Sequence, residues 1–215
     1  ARTNALGQSQ TFDHADWDAI HANDTVTANT NVAPDGTTTA DTIALTSAGF
    51  RYNRTFAVTN ETATYTASVY LKGTPGDKVA MRFEEGGATA LVVTLTADWV
   101  RYSMSASVTI SDTLIDIGFD NRAGVVGGLP GLDVTFQAWG YQMEKGAFAT
   151  SYIPTTTGSV TRAVDVVTFS DLTWFDGAIA SLYAEWVVRN VNNAKVWAFD
   201  ATNDKLLDEQ TGMSA

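Results

Sequence analysis

A two-residue rhythm constrains this chain more than any other feature. Between Thr64 and Lys72 the residues Tyr65, Ala67, Val69 and Leu71 alternate with polar neighbours. That period marks a strand with one face in a core and the other in water. The segment from Lys78 to Glu84 repeats it with Val79, Met81 and Phe83 inward. Similar runs cover 90–95, 99–110, 114–119 and 134–144, with weaker ones near Thr25, Ile43 and Phe50. The count is about ten short strands at regular spacing, and few windows suit a long helix. Gly73-Thr74-Pro75-Gly76-Asp77 is turn chemistry, so 64–72 and 78–84 read as neighbours in a hairpin. Glu84 to Gly87 is a second turn, and Gly124 to Gly131 is a glycine-rich loop. The fold expected is all-β, an antiparallel β-sandwich of jelly-roll type, over residues 1–157. Ser151 to Pro154 reads as its exit strand. Residues 158–215 read as a linker and the start of a second β domain, with strands at 164–169 and 178–188 but too little length to close a sandwich.

Charge and composition narrow the function. Only 17% of the 215 residues are charged, so the wet faces of the strands fall to Thr, Ser, Asn and Gly. The net charge of −11 argues against nucleic acid, whose phosphates call for clustered Lys and Arg, and against an anionic membrane surface. There is no cysteine, hence no disulfide framework or thiol chemistry. No apolar run reaches the roughly 20 residues of a membrane helix, so membrane insertion is not expected. The chain opens on Ala1-Arg2 without Met, which reads as a fragment or processed product. Enzyme signatures such as G-x-S-x-G, a P-loop or H-E-x-x-H are missing. His14 and His21 are the only histidines. Glu84 and Glu144 could be paired as the two carboxyls of a glycosidase, but any acidic chain offers such pairs. The expectation is a protein that is not an enzyme.

Two sets of residues invite a binding role. A sugar needs an exposed ring to stack on and planar polar groups for its hydroxyls. Tyr52, flanked by Arg51 and Arg54, fits, as do Arg82 with Glu84 and Trp99 with Arg101 if their strands lie side by side. The plainer alternative puts Tyr52 and Trp99 in a core or an interface, because aromatics dominate buried area. Trp17, Trp139 and Tyr141 read as structural. Asp13, Asp16 and Asp18 offer hard oxygen ligands of the kind Ca²⁺ takes, although their spacing matches no EF-hand; a solvated acidic turn is the alternative. The carboxylates Asp200, Asp204, Asp208 and Glu209 form a second acidic cluster, read as solvated.

Three longer motifs carry a resemblance. Ala1-Arg2-Thr3-Asn4-Ala5-Leu6 with Gln8-Ser9-Gln10, Phe12 and Trp17 resembles the opening of phage tail-fibre and head-spike proteins, with Ala5 in place of the usual Leu. Ala33 to Asp41 (APDGTTTAD) and Trp139 to Thr155 (WGYQMEKGAFATSYIPT) are similar to further segments of the same family. Thr161-Arg162-Ala163-Val164-Asp165 resembles the junction that leads into a concanavalin-like domain. Gene transfer agents carry similar spikes. The resemblance implies a jelly roll of the carbohydrate-binding-module kind, displayed on a virion surface and binding a host cell-surface polysaccharide. It also implies a homotrimer, contacts with other virion proteins, and a structural Ca²⁺ near the N-terminal segment. Two other readings stand beside it: a structural spacer or capsid decoration without glycan affinity, and a binding module appended to a secreted glycosidase.

Overall fold

Ten strands pair into two five-stranded antiparallel sheets. In chain order the strands are β1 (Arg2–Asn4), β2 (Trp17–Ala19), β3 (Thr25–Asn31), β4 (Ala40–Leu45), β5 (Phe50–Phe56), β6 (Glu61–Gly73), β7 (Lys78–Glu84), β8 (Ala88–Thr94), β9 (Val100–Ile110), β10 (Leu114–Asp120), β11 (Val134–Lys145) and β12 (Val160–Arg162). The computed structural model describes residues 1–19, 22–56, 61–84, 88–110, 114–124 and 126–163. One sheet runs β2-β5-β10-β7-β8 and the other β3-β4-β11-β6-β9. The short β1 and β12 pair with each other, Arg2 opposite Arg162. The described residues therefore form an all-β antiparallel sandwich. The second compact unit, Val167–Ala215, lies outside the described residues, as do the strands expected at 164–169 and 178–188. The acidic cluster of Asp200 to Glu209 lies there too.

The alternation explains the layers. Tyr65, Ala67, Val69 and Leu71 of β6 face Val79, Met81 and Phe83 of β7 across one core. Burying each of the Val, Leu, Met and Phe side chains among them contributes about 1.5–3 kcal/mol. Phe12, Trp17, Phe119, Phe136 and Tyr141 form its aromatic centre. The Phe12–Trp17 and Phe119–Phe136 ring centroids lie 4.8 and 5.1 Å apart. Trp17, Trp139 and Tyr141 are all buried, at 2%, 4% and 0% exposure.

Two local readings differ from the sequence expectation. First, β6 and β7 are not a hairpin: they belong to different sheets. Their turn crosses between layers, and its backbone pairs with the β8–β9 connection instead. Gly73 N donates to Thr96 O (2.9 Å) and Leu95 N to Asp77 O (2.7 Å). Second, Ser151 to Pro154 forms no strand. Side chains satisfy its backbone, with Ile153 N donating to Gln142 Oε1 (2.6 Å) and Ile153 O accepting from Asn4 Nδ2 (2.9 Å).

One bulge decides which face β11 shows. Gly140 has φ +66°, and the pairing of β11 with β6 slips between Trp139 and Gln142. A residue inserted in this left-handed conformation shifts the alternation by one place. Phe136 and Ala138 point into the core before it, and Tyr141 and Met143 after it. Trp139 is thereby turned outward onto a separate cluster with Ala33, Ala40, Tyr70, Trp99 and Tyr152.

The N-terminal segment is sewn to the end of the domain by Asn4, which is fully buried. Its amide donates to Tyr141 O (3.4 Å) and Ile153 O (2.9 Å), and its oxygen accepts from Leu6 N (3.2 Å) and Met143 N (3.0 Å). Truncation would strand buried backbone groups, each costing about 1–3 kcal/mol. Asn4→Ala is therefore expected to lower the unfolding free energy by about 2–4 kcal/mol. The exposed Thr156→Ala should change it by no more than about 0.5 kcal/mol. Urea titration followed by tryptophan fluorescence reads both.

Candidate functional site

The sheet containing β5, β10 and β7 turns one face away from the core. Because Ile117 and Phe119 of β10 point inward, Asp116, Gly118 and Asp120 point outward. The register sets Tyr52 of β5 and Arg82 of β7 on either side of Gly118, and Phe50 and Ala80 on either side of Asp120. This outer face holds a connected cluster. Tyr52 stacks on Phe50, with centroids 5.0 Å apart and planes 22° apart. The Arg122 and Arg82 guanidiniums sit 4.4 and 5.1 Å from the centre of the Phe50 ring. Both reach the fully buried Asp120 carboxylate. Arg122 does so in a fork, Nε to Oδ1 at 3.0 Å and Nη2 to Oδ2 at 2.7 Å. Its backbone N–H adds a third bond at 2.9 Å. Burial pushes the Asp120 carboxyl up, but the hydrogen bonds from Arg122 and Arg82 outweigh it and hold the group below its ordinary value.

Exposure grades outward across this cluster. Phe50 is 1% exposed and the Arg82 side chain 4%, whereas that of Arg122 is 22% exposed and Tyr52 is half-buried. The Tyr52 hydroxyl donates to the exposed Asp18 carboxylate at 3.4 Å. The surface thus presents one ring on a braced support, with a carboxylate and a guanidinium beside it. Gly118 leaves the strip between Tyr52 and Arg82 without a side chain. It also permits a close approach of strands, since a Cβ there would lie 2.0 Å from Arg51 O and 2.6 Å from the Tyr52 Cα.

The sequence-predicted residues divide between separate places. Tyr52 and Arg82 share the face just described. Arg51 does not: it is its strand's inward residue, buried, donating to Phe12 O from Nε (3.0 Å) and Nη2 (2.5 Å). Burial lowers the Arg51 pKa, while the charges of Asp24, Asp13, Asp18 and Asp41 raise it. Arg54 and Glu84 both pair with Asp116 in the backbone register, but their side chains lie outside the described residues. Trp99 and Arg101 belong to the other sheet's side. The Trp99 indole N–H donates to Val32 O (3.0 Å) under the Lys72 ammonium, 5.2 Å from its ring. Arg101 donates to Thr150 O (2.6 Å) and Ser68 Oγ (2.9 Å). The strands of Arg82 and Arg101 are therefore not neighbours, and no single cleft joins the two pairs.

Asp13, Asp16 and Asp18 are all exposed and are not gathered at one point. Among the described residues no three His, Asp or Glu side chains converge as metal ligands. Asp16 N donates to His14 Nδ1 (3.1 Å), and Asp18 serves Tyr52. Glu144 is fully buried, accepting from Thr150 N (2.8 Å), Thr150 Oγ1 (2.5 Å) and Gln142 Nε2 (2.6 Å), so it supports structure. Sequence reasoning missed Phe50, Asp120 and Arg122. The available signal was Asp120-Asn121-Arg122 directly after an alternating strand, where a carboxylate and a guanidinium stand two residues apart.

The chain matches no family model and no curated protein. Among solved structures it is similar to TmCBM61 in complex with β-1,4-galactotriose, at 14% identity and TM-score 0.47, over 66% of this chain and 99% of that one. The bacteriophage CBA120 tailspike protein 4 enzymatically active domain gives 11% identity and TM-score 0.47, over 65% of this chain and 21% of that one. The CBM22-1 xylan-binding domain from Paenibacillus barcinonensis Xyn10C gives 12% and 0.45, over 68% and 94%. The assignment as an antiparallel sandwich rests on the strand register of the chain itself.

Asp120→Asn keeps the volume but leaves two guanidiniums facing a neutral group. Removing one member of a buried ion pair costs about 3–5 kcal/mol, and a loss of that size is expected at neutral pH. Because the folded-state pKa is depressed, this stability is fully present above the unfolded value near 4 and is lost as pH falls through the lower folded value. The wild-type advantage over Asp120→Asn should thus hold from pH 7 to about 5 and shrink below about pH 4. Paired urea titrations across that range measure it.

Proposed function

We propose that this chain is a host-attachment module of a virion surface fibre or spike, holding a cell-surface polysaccharide against the outer face of the β2-β5-β10-β7-β8 sheet. The observation that carries the reading is Tyr52 stacked on Phe50, with Phe50 held by two guanidiniums on one buried carboxylate. A sugar ring binds by laying its C–H face on an aromatic ring while charged and amide groups take its hydroxyls. A support that is already ordered spares the entropy of arranging it at the moment of binding. Tyr52 supplies the ring, and Asp18 and Arg122 supply the flanking acceptor and donor. The reading is one of binding without catalysis, in keeping with Glu144 being committed to three internal hydrogen bonds. The virion-surface part draws on the opening and closing motifs, Ala1 to Trp17 and Trp139 to Thr155.

The rival reading, a spacer or decoration module without glycan affinity, draws on the depth of Phe50 and Arg82. It takes the same cluster as a lock between strands and nothing more.

A polysaccharide array probed with the full chain separates the two. Saturable binding is expected, and Tyr52→Ala should weaken it by about thirtyfold, the effect of losing roughly 2 kcal/mol at a central aromatic contact. Trp99→Ala should leave it within about twofold, since Trp99 lies on the other sheet's side. Purified protein should also compete with particle adsorption to host cells. Absence of saturable binding from folded protein would establish the spacer reading.

A further inference from the structure

Two arginines face each other across the two-stranded ribbon of β1 and β12. Arg2 lies opposite Arg162 and Thr3 opposite Thr161. The two threonine hydroxyls meet at 2.7 Å, which leaves the arginines together on the other face. Directly opposed residues have Cβ atoms about 4.5–5.5 Å apart, and like charges so placed destabilise the pair. Both arginines are half-buried, so water and salt screen the repulsion incompletely. A chain with 24 acidic residues against 13 basic ones nonetheless sets two cations here.

The surrounding packing holds these guanidiniums in place. Both reach the loop that follows β11. Arg2 Nη1 donates to Lys145 O (2.6 Å), and the Arg2 guanidinium lies 4.5 Å from the centre of the Phe148 ring. Arg162 Nη1 donates to Ser151 Oγ. Gly146 makes room for Arg2: its φ is +138°, and a Cβ there would fall 1.9 Å from Arg2 Nη1. Glu144 draws the two ends of the loop together by accepting from Thr150 N (2.8 Å) and Thr150 Oγ1 (2.5 Å). The anchors of the two arginines, Lys145 and Ser151, therefore flank one neck.

The oxygens that meet these guanidiniums are uncharged. The carboxylates on the adjoining strands are committed, Glu144 to Thr150 and Gln142 and Glu61 to Lys145 Nζ (2.5 Å). Arg162 Nε is shut off from water and meets no acceptor. A buried donor in that condition is costly, and more so on a charged group.

We infer that Arg2 and Arg162 form an oxyanion site, taking a sulfate, phosphate or carboxylate group between their guanidiniums. The planar fork of a guanidinium presents paired N–H donors that match two oxygens of such a group. An anion between the two cations turns their repulsion into attraction. Lys145 O, Ser151 and Phe148 have already ordered the forks, so binding spends little on arranging them. The group is either a free ion or the acidic substituent of a polysaccharide, and the chemistry recognised is the same.

NMR of the arginine Nε–H resonances tests this in the full chain, with sodium sulfate added at constant ionic strength against sodium chloride. The Arg2 and Arg162 signals should move together and saturate, half-complete at about 1–10 mM sulfate, while those of Arg82 and Arg101 stay still. Arg162→Gln should weaken the response at Arg2 at least about tenfold. Arg162→Lys, which keeps the charge without the fork, should weaken it by about threefold. Lys78→Gln removes the same charge from an exposed position in another sheet and should leave half-saturation unchanged. A response that never saturates, an equal response to chloride, or one that survives Arg162→Gln overturns the proposal. No response at all does so too, since it means that a carboxylate of the chain already fills the site or that the site takes no anion. Dextran sulfate and neutral dextran separate the sources. Saturation at a sulfate-group concentration about tenfold below that of free sulfate assigns the group to a polymer, and equal concentrations assign it to a free ion. Neutral dextran moving the same two signals would overturn the proposal. Tyr52→Ala should leave every one of these shifts as in wild type, so failure of the glycan reading and failure of the oxyanion site are read separately.

Discussion

The outer face of the β5–β10–β7 sheet depends on one carboxylate without access to solvent. Asp120 ends β10, and the guanidiniums of Arg82 and Arg122 converge on it. Remove its charge and Arg82, with a side chain only 4% exposed, loses the carboxylate it shares with Arg122. With the charge present, the two guanidiniums become fixed walls for Phe50, and Phe50 becomes a fixed floor for Tyr52. As a stability device alone a buried ion pair gains little, because desolvation offsets most of the Coulomb gain. The arrangement makes better sense as the means of holding a half-exposed ring still.

A second constraint closes the sandwich. The segment after β11 forms no strand, yet its backbone groups are met by Asn4, Ser9, Gln142 and Glu144. This gives the motif Trp139 to Thr155 a physical account. Gly140 makes the bulge that turns Trp139 outward, and Tyr152 packs on that tryptophan at 4.7 Å between centroids. Gln142 and Glu144 then face outward beneath the chain as it folds back. Burial drives the Tyr152 hydroxyl pKa to about 12, so it remains a neutral partner for Ser9 across the physiological range.

The strands were legible in the sequence because each buries a single face, and period-two patterning reports that directly. Pairing was not. The turn Gly73 to Asp77 looks the same whether it joins partners in one sheet or crosses between two, and only the β8–β9 connection that receives its hydrogen bonds decides the matter. The binding candidates were half legible for the same reason. Alternation states that Arg51 and Tyr52 must face opposite ways, and they do. It does not state that β7 and β9 lie in different sheets, which is what separates Arg82 from Arg101. Arg122 escaped notice because it follows its strand, where no periodicity exists to mark it.

Perturbation of backbone amide resonances by a bound oligosaccharide tests the central claim most directly. Shifts are expected at Asp18, the Phe50 to Tyr52 stretch, Arg82, Gly118 and Arg122 alone, with the amides of Val32, Trp99, Arg101 and Trp139 unmoved. Shifts clustered at Trp99 and Trp139 instead, with the Tyr52 face silent, would contradict it.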